Sequence, residues 1–210
     1  MKNLWNKLHN ADCLEAMRLM EDDAFDLAIV DPPYGLGFSS KIRDEKIKDW
    51  DNSTPTKKYF QEIQRVSKNQ IIWGGNYFLD YLGSTRCFIF WDKMTVVPNF
   101  ADGEMAWTSF DDLARQFRYA WNGLSDGIVG RNKKHKTIHP TQKPISLYTW
   151  LLEKYAKKGD TILDTHLGSG SIAIACHNLG YDLVSYKLDK DYYSAACKRL
   201  ENHQKQLRMF

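Results

Sequence analysis

Short apolar runs alternate with segments of helical pattern along most of the chain. The first clear run, residues 26–30, ends abruptly at Asp31-Pro32-Pro33-Tyr34-Gly35, which predicts a buried parallel strand that stops at two prolines. Two further runs, 70–73 and 87–91, are rich in aromatic and β-branched residues. They predict additional strands of the same sheet.

The second half of the chain follows an order of strand, glycine turn and helix. Residues 160–163 predict a strand, 164–171 a glycine-containing turn and 172–179 a helix. A strand over 182–186 and a charged amphipathic helix over 191–207 follow. This alternation favours an α/β, Rossmann-like fold with a doubly wound, mainly parallel sheet.

Two segments fit the alternation poorly. Residues 36–55 are polar and weakly periodic, whereas residues 94–137 mix aromatic side chains with Gly and Asp and end in a basic run. We interpret the first segment as a mobile loop that follows Asp31–Tyr34, and the second as a short insertion. The whole chain, 1–210, is expected to form one domain.

Composition narrows the class of protein without identifying it. The chain has 210 residues, of which 43% are hydrophobic and 26% charged, and its formal net charge of +3 permits nucleic-acid binding without requiring it. The cysteines at positions 13, 87, 176 and 197 show no CxxC spacing, so neither a metal site nor a disulfide framework is expected. Apolar stretches are too short for a membrane span, and a reducing cytoplasm is predicted.

The segment Asp31–Tyr34 combines groups that suit a nucleobase amine. Such an amine is a poor nucleophile because its lone pair is delocalised, so a catalyst must accept its hydrogen bonds and fix it in line with a methyl donor. Asp31 and the Pro32 carbonyl are candidate acceptors, the adjacent Pro33 stiffens the turn, and Tyr34 is a platform for a flipped base. The alternative is a simple proline stop after a strand.

The turn over 164–171 contains Gly168 and Gly170 between a predicted strand and a predicted helix. Glycines at such a turn let the backbone approach a cofactor at the helix N-terminus. The signal is weak by itself, since glycine turns are also structural or serve other nucleotides.

Three motifs together resemble the β-class amino methyltransferases of DNA found in bacteria and phages. That family has a (D/N/S)PPY motif, then an HPTQKP-like motif, then the glycine motif, which is a circularly permuted order. This chain has Asp31–Tyr34, His139–Pro144 and Asp164–Ser171 in that order. The resemblance covers most of the chain and implies S-adenosylmethionine as methyl donor, S-adenosylhomocysteine as product and double-stranded DNA as partner.

The resemblance also implies a set of cofactor contacts. Asp12 and Cys13 match an N-terminal element whose acidic residue meets the cofactor adenine, although Asp before a helix is also a routine N-cap. His139, Thr141 and Lys143 match residues near the methionine end, where hydroxyl and ammonium groups hold a carboxylate. A solvated surface lysine is the alternative for Lys143. The glycine motif adds Asp164, His166, Gly168, Ser169 and Gly170.

The chain departs from the family pattern at two positions. His166 stands where Phe is common, a change that keeps a flat ring. Lys187 stands where the family has a Glu that accepts hydrogen bonds from the cofactor ribose, and a lysine cannot accept from a diol. Low cofactor affinity is therefore predicted, unless Asp189 substitutes. The alternative for Asp189 is an N-cap before Asp191.

Two basic clusters flank the predicted active-site mouth. The first contains Lys41, Arg43, Lys46 and Lys48, interleaved with acids, and is read either as a solvated loop or as a phosphate contact. The second is denser and favours phosphate contact; its basic residues are Arg131, Lys133, Lys134 and Lys136. Within 94–137, the resemblance implies a short target-recognition segment, for which Trp107, Arg115, Arg118 and Trp121 are candidate DNA contacts. Buried packing is the alternative for the tryptophans.

The leading hypothesis is adenine-N6 methylation of duplex DNA, because Asp in the first motif position is more typical of adenine enzymes in the family. Cytosine-N4 methylation is the nearest alternative. RNA bases or protein amides are further acceptors in related enzymes, and a DNA-binding or partner-binding homologue without cofactor remains open because of Lys187. A homodimer is expected by resemblance only.

Overall fold

A single sheet of eight strands lies at the centre of the computed structural model, which describes residues 7–37, 51–94, 101–121, 137–139 and 141–207. Across the sheet the order is β1-β8-β7-β2-β3-β5-β4-β6. In chain order the strands are β1 (Lys7–His9), β2 (Phe25–Val30), β3 (Ser67–Trp73), β4 (Ile89–Asp92), β5 (Gly103–Thr108), β6 (Arg115–Arg118), β7 (Thr161–Asp164) and β8 (Asp182–Tyr186).

Helices cover both faces of this sheet. Alternate residues of β2 point to opposite faces, so Leu27 and Ile29 belong to one apolar core, and Ala28 and Val30 to the other. The helices are α1 (Cys13–Met17), α2 (Lys57–Val66), α3 (Leu79–Leu82), α4 (Ile145–Tyr155), α5 (Ser171–Leu179) and α6 (Lys190–Leu207), with a 3-10 turn over Gly75–Tyr77 before α3. α4, α5 and α6 pack on the first core, and α1, α2 and α3 on the second.

The strands β1, β8, β7, β2 and β3 are mutually parallel, whereas β5 runs antiparallel to both β3 and β4. The predicted α/β, doubly wound and mainly parallel fold is confirmed. Because the five parallel strands share a direction, the loops after their carboxyl ends lie along one edge of the sheet.

The predicted insertion over 94–137 requires a correction. Its described part contains β5 and β6, which are strands of the central sheet. Sequence reasoning missed them because β6 is short and charged, and β5 begins at a glycine with only its second half buried. Helices α2 and α4 were also missed. Within the predicted mobile loop 36–55, Asp51 is 5% exposed and packs against the Asp31–Tyr34 turn.

None of the helices in the described part of the chain is both long enough and apolar enough to cross a membrane.

Candidate active site

The loops that carry the predicted motifs meet at one edge of the sheet. β2 runs directly into Asp31, β7 ends at Asp164, and β8 ends one residue before Lys187. β7 pairs with both β2 and β8, so these three ends are neighbours. The turn at Asp31 and the glycine turn that begins at Asp164 therefore border a common site.

Both oxygens of the Asp31 carboxylate have a partner. The Tyr34 hydroxyl donates to Asp31 Oδ1 at 2.6 Å, and Lys143 Nζ lies 2.7 Å from Asp31 Oδ2. The Asp31 side chain is 19% exposed, whereas that of Lys143 is 4% exposed. The carboxylate is thus held in one orientation by a hydroxyl and a buried ammonium, and it is still reachable from solvent.

A second carboxylate shares the same ammonium. Glu104 on β5 places Oε2 2.9 Å from Lys143 Nζ and Oε1 2.7 Å from Lys93 Nζ. The four side chains form a row of alternating charge, which runs Asp31, Lys143, Glu104, Lys93. Lys143 Nζ also lies 3.4 Å from the Tyr34 hydroxyl.

Ionisation in this row is set by competition between burial and charge. Burial opposes the charged form of Lys143, but Asp31 and Glu104 hold its pKa above the ordinary value. Burial likewise opposes ionisation of Glu104, but Lys143 and Lys93 lower its pKa to about 2. Burial, with Asp31 and Glu104, raises the pKa of Tyr34 well above its usual range. Tyr34 is therefore a neutral hydrogen-bond donor beside the ionised Lys143 and Glu104.

The Tyr34 turn is braced from two sides. Asp51 Oδ1 accepts hydrogen bonds from the backbone N–H groups of Tyr34 at 2.8 Å and Gly35 at 3.1 Å. The Tyr34 ring stacks on Tyr77, with centroids 5.1 Å apart and an interplanar angle of 19°. It also lies over Gly74, where an added Cβ would be 2.2 Å from Tyr34 Cε1. Only glycine at position 74 leaves room for this ring.

The glycine turn is joined to α6 and to the segment that carries Lys143. Gly168 and Gly170 have φ of +56° and +76°, the left-handed region that favours glycine. Arg199 Nη1 donates to Ser169 O at 2.9 Å, to Ser169 Oγ at 3.1 Å and to Ser171 Oγ at 2.9 Å. Ser171 Oγ donates to the Lys143 carbonyl at 2.7 Å. Two predicted motifs are thus tied together behind the site.

The buried Asp164 at the start of this turn is close to two other charged groups. Burial raises the pKa of Asp164 to about 7, and the Asp31 carboxylate adds to this, whereas the His166 backbone N–H and Lys187 act in the opposite direction. Burial together with Lys187 lowers the pKa of His166 to about 3, so the imidazole is neutral. Its Nδ1 lies 2.8 Å from Thr165 Oγ1.

Tyr192 on α6 connects the His139 segment with Lys187. The Tyr192 ring centroid lies 4.6 Å from that of His139 and 5.3 Å from Lys187 Nζ. His139 is 4% exposed, and its Nδ1 is 3.2 Å from Thr141 Oγ1. Through Tyr192, two sequence-predicted cofactor positions lie on the same side of the site.

The residues present fit a cationic nucleoside cofactor. The Asp31 carboxylate is close enough to Asp164 to add to the rise in the pKa of Asp164, and a positive group near both carboxylates relieves that repulsion. The glycine turn keeps side chains away from the backbone at Gly168, where an added Cβ would meet no atom nearer than 3.7 Å. Lys187 is a predicted ribose contact whose charge opposes this fit.

Comparison with known proteins decides the family. A family model described as DNA methylase, for enzymes acting at N6 or N4, matches residues 69–198. The chain belongs to this DNA methylase family. Type II methyltransferase M.HinfI of Haemophilus influenzae is 25% identical over 244 residues, which cover 93% of this chain and 68% of that protein. Type II methyltransferase M.HpaI of Haemophilus parainfluenzae is 22% identical, and the match covers 91% of this chain and 73% of that protein.

Solved structures share the fold of this methylase. The M1.HpyAVI–SAM complex superposes with a TM-score of 0.60 at 22% identity, over 92% of this chain and 99% of that one. PvuII DNA methyltransferase, which is cytosine-N4-specific, superposes with a TM-score of 0.60 at 12% identity, over 91% and 84%. At these identities the likeness establishes the fold alone.

The structure of the methylase brings most of the predicted site residues to one edge of the sheet, with different local contacts for some. Asp12 Oδ1 accepts from the backbone N–H of Leu14 at 2.8 Å, so Asp12 caps α1 and its cofactor contact stays a prediction. Cys13 follows it, with a pKa raised to about 12 by burial and by Asp12, and is a neutral thiol. Asp189 Oδ1 accepts a hydrogen bond from the backbone N–H of Tyr192 at 2.9 Å and caps α6. This agrees with the alternative interpretation of Asp189 as an N-cap residue.

For Lys143, the surface alternative is wrong, because its side chain is 4% exposed. Its contact with a cofactor carboxylate stays a prediction, since in the structure the ammonium faces Asp31 and Glu104. The predicted DNA-binding residues lie outside the described residues; these are Lys41, Arg43, Arg131, Lys133, Lys134 and Lys136.

The recognition candidates in β5, β6 and beyond differ in exposure. Trp107 and Trp121 are each 6% exposed, and their indole N–H groups donate to the carbonyls of Gly83 at 3.1 Å and Gln142 at 2.7 Å. The packing alternative is correct for both. Arg118 has a side chain that is 63% exposed and pairs with Asp92, while Arg115 pairs with Asp112.

Sequence reasoning missed four residues of the site, namely Lys93, Glu104, Asp51 and Tyr77. None belongs to a motif, and each reaches the site from a segment that is distant in sequence. The only local signal was a lone Glu in an apolar run, Glu104 before Met105-Ala106-Trp107, which marks a carboxylate that needs a buried partner.

Proposed function

We propose that this methylase transfers the methyl group of S-adenosylmethionine to the exocyclic N6 amine of adenine in duplex DNA, on a base flipped out of the helix. The observation that carries the proposal is the Asp31 carboxylate, held at the end of β2 beside the glycine turn that follows β7. Within the family that the sequence resembles, Asp in this motif position is more typical of adenine-N6 than of cytosine-N4 enzymes.

Asp31 and the Pro32 carbonyl are proposed to accept the two N6–H hydrogen bonds. This draws electron density onto N6 and aims its lone pair at the methyl donor. S-adenosylmethionine, when bound, supplies an electrophilic methyl group on a sulfonium. The N6 lone pair forms the new C–N bond, the C–S bonding pair remains on sulfur, and the surplus proton leaves N6 by way of Asp31 to solvent.

Tyr34 is proposed to stack on the flipped base. Its ring now stacks on Tyr77, and its hydroxyl donates to Asp31 Oδ1. A base that reaches Asp31 replaces at least one of these contacts, so Tyr34 holds the carboxylate until the substrate amine takes over one hydrogen bond. Pro33 keeps the turn stiff during that exchange.

The proposed cofactor contacts are those that the family resemblance implies. Asp12 and Cys13 are proposed to meet the cofactor adenine, and His139, Thr141 and Lys143 its methionine end. Lys187 is proposed to stand at the ribose position, where its positive charge opposes a cationic cofactor, whereas Asp164 in the glycine motif favours one. The remaining proposed contacts come from the glycine turn and comprise His166, Gly168, Ser169 and Gly170.

The proposed macromolecular partner is double-stranded DNA, contacted through the basic run 131–136 and the cluster around Lys41 and Arg43. We also propose a cytoplasmic location, because the cysteines show no disulfide or metal-site spacing, and a homodimer, by analogy with the family that the sequence resembles.

A second candidate is cytosine-N4 methylation, which is favoured by the fold shared with the cytosine-N4-specific PvuII enzyme. Both amines need the same acceptor beside an aromatic platform. A third candidate, a DNA-binding homologue without cofactor, rests on Lys187 alone.

The deciding experiment incubates the protein with duplex DNA and S-adenosylmethionine and analyses the digested nucleosides by mass spectrometry. N6-methyladenine supports the proposal, and N4-methylcytosine supports the second candidate. Cofactor titration by calorimetry, with and without DNA, is done in parallel. DNA binding without cofactor binding would establish the third candidate.

Asp31→Ala is expected to lower the methylation rate by roughly 100-fold or more, in the range that a positioned acid or base contributes. Asp102→Ala, which removes an exposed carboxylate between β4 and β5, is the matched control and should keep the wild-type rate. Equal rates for the two variants would reject the catalytic role of Asp31.

A further inference from the structure

Glu104 is a charged group of the site with no role in the proposed chemistry. It lies on β5, in the antiparallel part of the sheet, and reaches the catalytic edge only through Lys143. Its Oε2 atom is shielded from solvent, and its side chain is 22% exposed. A carboxylate held in this way needs compensation, which two lysines supply.

The position of Glu104 changes what Lys143 does to Asp31. A buried ammonium 2.7 Å from Asp31 Oδ2 fixes the carboxylate, but it also withdraws electron density from the acceptor that the substrate amine requires. Glu104, 2.9 Å from the same ammonium, competes for that positive charge. The ammonium is then divided between two carboxylates, and Asp31 keeps more of its capacity to accept.

We propose that Glu104 is a positioning residue that acts through Lys143, holding the ammonium between two carboxylates so that Asp31 is oriented and still accepts a hydrogen bond from the substrate amine. This inference rests on the proposed function, because it concerns the same acceptor. Glu104 acts through the Lys143 ammonium, so its effect is expected in the rate of the methyl-transfer step.

Geometry separates this role from simple core packing. The Lys143 ammonium lies 5.9 Å from the centroid of the Tyr34 ring and 5.4 Å from that of Trp73, so aromatic walls confine it. Without Glu104, this confined ammonium has Asp31 as its one carboxylate partner among the described residues. The ammonium is then expected to pair more tightly with Asp31. The methylation rate should therefore fall even in a variant whose core is correctly folded.

The test is Glu104→Gln, which keeps the shape of the side chain and removes its charge. Single-turnover methylation is expected to slow about 10- to 100-fold, the order of effect produced by a misplaced catalytic group. The Kd values for S-adenosylmethionine and for DNA are expected to stay within twofold of wild type. The melting temperature in excess cofactor is expected to stay within a few degrees of wild type. Glu153→Gln, an exposed acid on α4, controls for the change of net charge.

Two further variants keep the inference falsifiable if Glu104→Gln folds poorly. Glu104→Asp retains a carboxylate and should be faster than Glu104→Gln. Lys93→Gln combined with Glu104→Gln restores the net charge of the row without returning a partner to Lys143, and should remain slow. Equal rates for the Asp and Gln variants, or recovery in the double variant, would overturn the role of Glu104.

Failure of the inference and failure of the proposed function give different results. If the wild-type protein methylates no DNA, the proposed function fails. If wild type is active and Glu104→Gln matches Glu153→Gln in single-turnover rate, only the role of Glu104 is rejected.

Discussion

At the residue level, the charge of Lys187 leads to a prediction about cofactor affinity. Its ammonium influences Asp164 and His166 and lies over the Tyr192 ring. Lys187→Glu is expected to tighten S-adenosylmethionine binding about tenfold or more, because it removes a repelling cation and adds an acceptor whose charged hydrogen bonds are worth ~1.5–3 kcal/mol. Calorimetry measures the change.

Lys187→Met separates the two effects of that substitution. Lys187→Met removes only the positive charge and should give part of the tighter binding expected for Lys187→Glu. The rest of that gain should come from the new carboxylate acceptor. Weaker binding by Lys187→Glu than by wild type would mean that the lysine itself holds the cofactor, and the predicted low affinity would then be wrong.

The raised pKa of Asp164 leads to a prediction of how cofactor binding and protein stability depend on pH. Its folded pKa of about 7 exceeds the ~3.9 of an unfolded Asp, so between these values the folded chain holds a proton that the unfolded chain has lost. Stability from this group therefore falls as pH rises from ~4 to ~7. Over the upper part of that window Asp164 ionises, and affinity for a cationic cofactor should rise.

Asp164→Asn keeps an oxygen for the His166 N–H and removes the titration. It should melt at a higher temperature than wild type at pH 8, bind S-adenosylmethionine more weakly, and lose the pH dependence of binding near neutrality. Calorimetry and thermal melting across pH 5–9 check these outcomes, with Asp102→Asn as control. A pH dependence as steep as that of wild type would assign the titration to another group.

At the level of the element, the turn after β3 makes space for the Tyr34 ring. Gly74 has φ of +69°, and a Cβ there would be 2.2 Å from Tyr34 Cε1. Gly74→Ala is expected to displace Tyr34, lower the methylation rate and destabilise the fold by more than the ~1–2 kcal/mol of a left-handed residue alone. Single-turnover assays and denaturant unfolding measure both effects.

Gly180, at the end of α5, is the matched control. Its φ is +74°, and an added Cβ meets nothing within 4 Å. Gly180→Ala should therefore show the backbone cost alone, with the rate unchanged in the folded fraction. Equal losses in the two variants would mean that the Tyr34 ring tolerates a methyl group at position 74.

At the scale of the whole molecule, the proposed DNA contact is electrostatic and should respond to salt. Replacing Arg131, Lys133, Lys134 and Lys136 by Ser should weaken duplex binding and reduce the steepness of log Kd against log salt by roughly 0.9 for each lost phosphate contact. Fluorescence anisotropy at several salt concentrations gives that slope. An unchanged slope would show that the run 131–136 is a solvated segment.

The organisation of the parallel half of the sheet was predictable because its signals are local. β2, β7 and β8 were predicted to within one residue at their ends, since each is an apolar run bounded by turn residues. In the antiparallel half, β4 was predicted over 87–91 and lies at Ile89–Asp92, whereas β5 and β6 were not predicted. β5 and β6 have weak patterns and acquire their place by pairing with β3 and β4.

Three motifs in one order already indicated the family from the sequence alone, and the alternation of elements predicted a parallel sheet. Both could be read there because turn chemistry and strand periodicity act over a few neighbouring residues. The contacts of Lys143 with Asp31 and Glu104, and the enclosure of Tyr34 by Asp51 and Gly74, became visible only in the folded chain. These contacts join segments far apart in sequence, and a charge or a glycine carries no local mark of the partner it will meet.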